Sequence, residues 1–198
     1  VTADAGIKVM VTKEIGEEHT DYVELLNRAE VHKAPSMHHQ IFLGTGHREG
    51  FMDRDTFCDL AGSVDPGEVE KRNAGTAITD TALMFYTSGT TAMPKGCPLN
   101  HVVLQHAGVV GGTDRLRLVE GDVVWNPLPM FHSAFTQPLT GTLHVGGTLV
   151  SMAHFEPDEA LDLITRERVT VAFPAFPTIT LPILHHPRYT PETLSGVR

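Results

Sequence analysis

Eleven residues, Tyr86 to Gly96, constrain this chain more than any other stretch; they read YTSGTTAMPKG. The run carries hydroxyls on Tyr86, Thr87, Ser88, Thr90 and Thr91, glycines at Gly89 and Gly96, and a single lysine, Lys95. An apolar run, Ala82-Leu83-Met84-Phe85, leads into it, and a helix-like segment opens near Asn100. Glycine lacks the Cβ that would block a ligand and tolerates φ > 0, so successive N–H groups can converge on one anion. Hydroxyls and Lys95 add donors, and a hydrogen bond to a charged partner contributes roughly 1.5–3 kcal/mol. This combination predicts a loop that holds phosphate oxygens. It is not a Walker A loop, which needs Gly before the Lys and Ser or Thr after it; here Pro94 precedes Lys95 and Gly96 follows. Pro94 fixes its own φ and biases Met93 toward extended backbone, which predicts an open flap rather than a loop wound round a helix end. The competing reading, a Ser/Thr/Gly-rich surface turn, fits any four of these residues but fits the whole run poorly.

Bulk properties set the frame for such a loop. With 198 residues, 41% hydrophobic and 20% charged, the chain is long enough to bury a core and is neither disordered nor fibrous in composition. A net charge of −9 argues against general nucleic-acid binding, which needs a basic surface. It does not argue against ATP, because one lysine and a set of amides can hold a phosphate locally. Cys58 and Cys97 show no CxxC spacing and no disulfide framework, which fits a reducing, cytoplasmic setting. Cys97 lies just after the loop, where a small buried apolar role suits it better than that of a nucleophile. His38-His39 and His185-His186 lack the spacing of a helical zinc site, so no metal-ligating set is assigned. No run of eighteen apolar residues is present, so no membrane span is predicted, and VTADAGIKVMVTKE lacks the features of a secretory signal.

Read in order, the chain alternates strand and helix patterns. Residues 7–11 (IKVMV) predict a strand, 19–32 a helix with Thr20 or Asp21 as cap, and 41–43 (IFL) a second strand ended by the turn Gly44-Thr45-Gly46. This β-α-β rhythm implies a parallel pair with a crossover helix. A short helix is expected over 53–61 with Phe57 and Leu60 on one face, and a polar surface connection over 62–75. Asn100 is placed to cap a helix through Val110, which Gly111-Gly112 would end. Further on, strands are expected over 122–126, 148–152 and 169–173, and helices over 134–145, 157–167 and 176–184. The fold class expected is α/β, a mostly parallel sheet flanked by helices.

A second patch with chemical character is Pro129-Met130-Phe131-His132, on a proline-braced turn leaving the strand at 122–126. An aromatic beside a histidine there can line a pocket for a carboxylate or an acyl chain. The plainer reading makes Phe131 a core residue and His132 a cap on a backbone carbonyl. From four residues alone the plainer reading leads.

At these residues the chain resembles the adenylate-forming enzymes: acyl-CoA synthetases, firefly-type luciferases and the adenylation domains of peptide synthetases. Their phosphate loop reads approximately [YF]TSG[ST]TGxPKG, which Tyr86 to Gly96 matches except at Ala92, where the family usually has Gly. If that position needs φ > 0, alanine there carries a strain of order 1 kcal/mol. The family also has an element like P[ML]FH at this distance from its loop, and here Pro129 lies 34 positions after Lys95. Two patches in the right order and spacing are more specific than either alone. Lesser likenesses are Gly146 to Val150, Phe155 to Pro157, and Val169-Thr170-Val171 ahead of Pro177-Thr178. The likeness is loose over 1–76 and close over 77–198, which divides a partial adenylate-forming domain into two portions.

What the resemblance implies is an acid–thiol ligase. A carboxylate attacks the α-phosphorus of ATP, pyrophosphate leaves, and a thiol such as that of coenzyme A takes the acyl group from the adenylate. Thr87, Ser88, Gly89, Thr90, Thr91, Lys95 and Gly96 would hold the phosphates, with Mg²⁺ neutralising the remaining charge. Lys95 and His132 would be the catalytic pair, His132 orienting the carboxylate or gating the acyl pocket and Phe131 shaping its wall. Phe173, Phe176 and Thr178 are weaker pocket candidates for which core packing is the simpler role. The family's SGGA-like turn, its YGxTE-like segment, its ribose-binding Asp and its C-terminal lid with a catalytic lysine have no counterpart in this sequence. The chain is therefore expected to be an internal piece without the lid domain, inactive by itself. The alternatives left open are an amino-acid-activating adenylation domain, a non-catalytic nucleotide-binding module and an inactive relative.

Overall fold

In a computed structural model, which describes residues 1–13, 20–87 and 93–198, the chain forms two compact units. The first comprises Val1–Ala77 with Tyr86–Cys97, and the second Ile78–Phe85 with Pro98–Arg198.

In the first unit, strands β1 (Val9–Thr12), β2 (His39–Phe42) and β3 (Met52–Asp53) form a parallel sheet in that order. Val9 pairs with His39 and Ile41 with Met52. The central strand buries Gln40, Ile41 and Phe42, as a strand flanked on both edges should. Helix α1 (Tyr22–Arg28) makes the expected crossover, and Asp21 is its cap, accepting from the Glu24 N–H at 3.0 Å. Helix α2 (Arg54–Asp59) starts at a second aspartate cap, Asp53, and leaves Phe57 and Leu60 exposed. The polar stretch expected as a connection instead contains helix α3 (Pro66–Gly75). Its reason is local: Asp65 accepts from the Gly67 N–H, Pro66 fills the first turn, and the following run EVEKRNA favours helix. None of its residues is buried, so no apolar stripe announced it.

Strands β4 (Thr81–Thr87) and β5 (Lys95–Asn100) form a two-stranded sheet, and β5 was not among the expected strands. Its proline, Pro98, and its half-polar composition hide it. In the second unit Asn100 caps α4 (His101–Val110) through the Val103 N–H at 2.9 Å, as its side chain predicts. Gly111-Gly112 does not end this helix, which runs on as a π-helical turn through Arg115. The glycines serve packing instead. A Cβ on Gly112 would stand 2.8 Å from the Gly141 Cα, and one on Gly141 would stand 2.7 Å from the Gly108 carbonyl oxygen. Backbones thus cross in direct contact where α4 meets α5 (Ser133–His144).

The second unit's main sheet is parallel, with strand order β7 (Thr148–Val150), β6 (Val123–Trp125), β8 (Val171–Ala172). Successive side chains of β6 enter different cores, as a period of two requires. Trp125 joins Leu128, Phe135, Leu161, Ile164, Ile179 and Ile183, whereas Val124 joins Leu118 and Val171. Helix α6 (Pro157–Arg166) buries Ala160, Leu161, Leu163 and Ile164, and α7 (Pro177–Leu184) buries Ile179 and Ile183. Both follow the helical spacing of their apolar residues. Beside β8, Arg198 donates its N–H to the Thr170 carbonyl and accepts from the Ala172 N–H, extending the sheet by one more pairing. The chain leaves β6 for β7 on one side and returns to β8 on the other. Sheets of this kind bind ligands outside the carboxyl ends of the strands where the order switches.

Candidate functional site

In the first unit the phosphate-type run lies between paired strands. Thr87 is the last residue of β4, and Lys95 and Gly96 are the first two of β5; all three are exposed. Ser88, Gly89, Thr90 and Thr91, together with Ala92, lie outside the described residues. The flanking tyrosine is not available as a phosphate donor. Its hydroxyl donates to Asp4 Oδ2 at 2.6 Å, and that bond, with burial and the carboxylate's charge, pushes the phenol up to about 12. Cys97, expected as a small buried residue, is half-buried with its thiol 3.9 Å from the Lys95 carbonyl oxygen, and Cys58 is exposed.

In the second unit the turn from β6 to α5 carries the other patch. His132 is the residue preceding the first turn of α5, and its Nδ1 accepts the Ala134 N–H at 3.1 Å. The plainer sequence reading had this histidine capping a carbonyl. A helix start offers unpaired N–H groups, not carbonyls, so the ring accepts instead. An imidazole accepting at Nδ1 in its neutral form carries its proton on Nε2, which leaves an N–H donor on the opposite edge of the ring. That ring stands edge-on to Phe176, with centroids 6.4 Å apart and planes at 79°. Phe131 is 79% exposed and so is not a core residue. Phe173 packs against the main core, but Phe176 is 44% exposed and Thr178 is exposed, so core packing accounts only for Phe173. The reason is placement: 173–176 is the loop leaving the carboxyl end of β8, and the buried face of α7 begins only at Ile179. Ala175 in this loop has φ +54°, a left-handed conformation that costs a non-glycine residue about 1 kcal/mol.

Two buried polar residues at the two ends of β6 escaped the sequence reading. Asn126, with 0% exposure, donates from Nδ2 to the carbonyls of Ala134 and Phe135, both at 3.3 Å, and accepts the Leu128 N–H at 3.1 Å. Asp122 accepts from the Val119 N–H at 2.8 Å, from the Thr170 hydroxyl at 2.7 Å and from Arg198 Nη2 at 2.6 Å. Burial alone would push the Asp122 carboxyl up; these three donors and the guanidinium charge outweigh it and hold the group below the usual carboxylate range. The signals were present but weak. Asn followed by Pro-Leu-Pro suggests an Asx turn, and an acid before an apolar strand reads equally well as a surface turn.

With this geometry in view, comparison with known proteins is decisive for the family. The family model described as AMP-binding enzyme matches residues 1–198, and the chain belongs to that family. A feruloyl-CoA synthase of Amycolatopsis sp is 33% identical over 141 residues, which is 70% of this chain and 28% of the relative. A 4-coumarate–CoA ligase of Oryza sativa subsp. japonica is 34% identical over 155 residues, 76% of this chain and 26% of the relative. The chain thus matches little more than a quarter of the length of these relatives. Among solved structures, one from Rhodopseudomonas palustris CGA009, provisionally assigned as a long-chain-fatty-acid CoA ligase, superposes with a TM-score of 0.76. It is 23% identical, and the match covers 99% of this chain and 44% of that one; at this identity it establishes the α/β fold alone.

Proposed function

We propose that the protein carrying this chain activates a carboxylic acid with ATP and passes the acyl group to a thiol, with coenzyme A as the acceptor. The observation that supports this most is the run TSGTTAMPKG joining β4 to β5, with Thr87 at one strand end and Lys95 and Gly96 at the other, in a chain of the AMP-binding family. The paired strands β4 and β5 flank this hydroxyl- and glycine-rich run at its two ends. Negative charge grows on the departing pyrophosphate as the acyl-adenylate forms, and donors already aimed at those oxygens stabilise the transition state without reorganising. In this scheme Thr87, Ser88, Gly89, Thr90, Thr91, Lys95 and Gly96 handle the phosphates, and Lys95 supplies the positive charge. Mg²⁺ bound with the nucleotide would neutralise further phosphate charge. His132 offers its Nε2–H to the substrate carboxylate, and Phe131 and Phe176 flank it with apolar surface. The catalytic machinery is assigned to 77–198 rather than to 1–76, with a separate lid domain completing it.

Coenzyme A as acceptor rests on the names of the two relatives, which are a CoA synthase and a CoA ligase. We assign the protein to the cytoplasm on its two unpaired cysteines. Among the described residues no helix is long and apolar enough to cross a membrane. The test is acid-dependent ATP–pyrophosphate exchange by the intact protein, beginning with hydroxycinnamates and long-chain fatty acids. Exchange that requires an acid supports the reading, and nucleotide binding without acid-dependent exchange refutes it.

A further inference from the structure

The helix that starts at His132 contains a fault, and Asn126 sits where the fault must be repaired. Pro138 lies inside α5 and is fully buried. Proline has no N–H, so the carbonyl four residues earlier, that of Ala134, loses its helical donor. A buried carbonyl left unpaired costs about as much as a lost hydrogen bond or more. Asn126 Nδ2 reaches that same carbonyl at 3.3 Å, from a position locked at the end of β6 by its own N–H donating to the Val150 carbonyl at 2.9 Å. The second Nδ2 proton goes to Phe135, and Oδ1 holds the Leu128 N–H, so one amide ties both ends of the 127–133 turn to the strand.

Ala134 is the shared residue. Its carbonyl accepts from Asn126, and its N–H donates to His132 Nδ1. The carbonyl of Phe176, meanwhile, accepts the Ile179 and Thr180 N–H groups, which holds the other aromatic in place independently.

We infer that Asn126 is a positioning residue for His132: opposite Pro138, it anchors the Ala134 carbonyl and so fixes the first turn of α5, whose preceding peptide presents the Ala134 N–H that holds the imidazole in its Nε2–H tautomer and aims its other edge. The inference rests on the proposed role of His132 for its catalytic consequence, but not for its geometric one. In Asn126→Ala, the Ala134 carbonyl loses its donor, the first turn of α5 loosens, and the Ala134 N–H on the neighbouring peptide is no longer a fixed donor to His132. Pro138→Ala restores a backbone N–H to the Ala134 carbonyl, so in the double variant Asn126→Ala/Pro138→Ala much of the loss should return. A residue that merely fills space would show no such recovery from a change twelve residues away.

Two readouts on the intact protein test this. The first is the ¹⁵N imidazole spectrum of His132, identified by its loss in His132→Gln. The wild type should show one tautomer with Nδ1 unprotonated, Asn126→Ala a mixture, and the double variant a return toward one. The second is acid-dependent pyrophosphate exchange. Asn126→Ala should lower kcat/KM for the acid roughly tenfold or more while leaving KM for ATP within about twofold, and the double variant should recover at least threefold. If Asn126→Ala does not fold, recovery of a folded protein in the double variant is itself the expected coupling. A double variant no better than Asn126→Ala in fold, tautomer and kinetics overturns the inference. Should the protein show no acid-dependent exchange at all, the proposed function fails, while the tautomer measurement still decides the positioning role.

Discussion

Two adjacent glycines should respond in opposite directions to the same substitution. Gly111 and Gly112 both lie in the π-helical turn that continues α4. A Cβ on Gly111 meets nothing within 4 Å, whereas one on Gly112 would stand 2.8 Å from the Gly141 Cα, with the Leu118 Cδ1 at 3.3 Å. Gly111→Ala therefore keeps only the gain in helix propensity, up to about 1 kcal/mol. Gly112→Ala has the same gain but must push two backbones apart, and forcing atoms into a packed site costs about 1–3 kcal/mol. Because the propensity gain is common to both, the two variants should differ by the packing cost, about 1–3 kcal/mol, Gly111→Ala being the more stable. Urea unfolding of the intact protein followed by tryptophan fluorescence reports this directly, since Trp125 lies in the main core of this unit. Midpoints should move apart with unchanged slope. Equal midpoints, or Gly112→Ala above Gly111→Ala, would refute the claim that these glycines are there for the helix crossing.

Other outcomes follow from Asp122 and Ala175 in the second unit. Asp122 has its pKa depressed in the fold, so its contribution is present above the unfolded value near 4 and is lost as pH falls through the lower folded value. Asp122→Asn should cost about 1–3 kcal/mol at pH 7, and the gap to wild type should narrow below about pH 4 in pH-dependent urea titrations. Ala175→Gly relieves a left-handed alanine and should raise stability by about 0.5–1 kcal/mol, measured by the same unfolding assay.

How much of this was legible beforehand depended on whether a residue acts through local or distant neighbours. Local rules held well. Asp21 and Asn100 cap the helices that follow them, and the apolar spacing of Ala160, Leu161 and Ile164 marks the buried face of α6. The parallel pairing of β1 with β2 follows from the strand–helix–strand rhythm. Reading failed where the deciding partner is far along the chain. Gly111-Gly112 looks like a helix stop by local chemistry, yet the second glycine answers to Gly141. His132 reads as a carbonyl cap until the helix start at Ser133 fixes which backbone groups lack partners. Asn126 looks like a turn residue, and only the defect at Pro138 explains why its amide is buried. Helix α3 is hidden for the opposite reason: it has capping signals but no buried face, so no apolar stripe marks it in the sequence. The phosphate run was readable because its chemistry is written in consecutive residues.

In the proposed function, the Thr87–Gly96 run handles the pyrophosphate end of ATP during activation of an acid. The most direct measurement is acid-dependent ATP–pyrophosphate exchange by the intact protein and its Lys95→Ala variant at matched folded concentration. Losing one charge-assisted contact of roughly 1.5–3 kcal/mol predicts an approximately 10- to 150-fold fall in kcat/KM for ATP, with the variant's unfolding midpoint unchanged because Lys95 is exposed. Exchange kinetics for Lys95→Ala within twofold of wild type would contradict the claim.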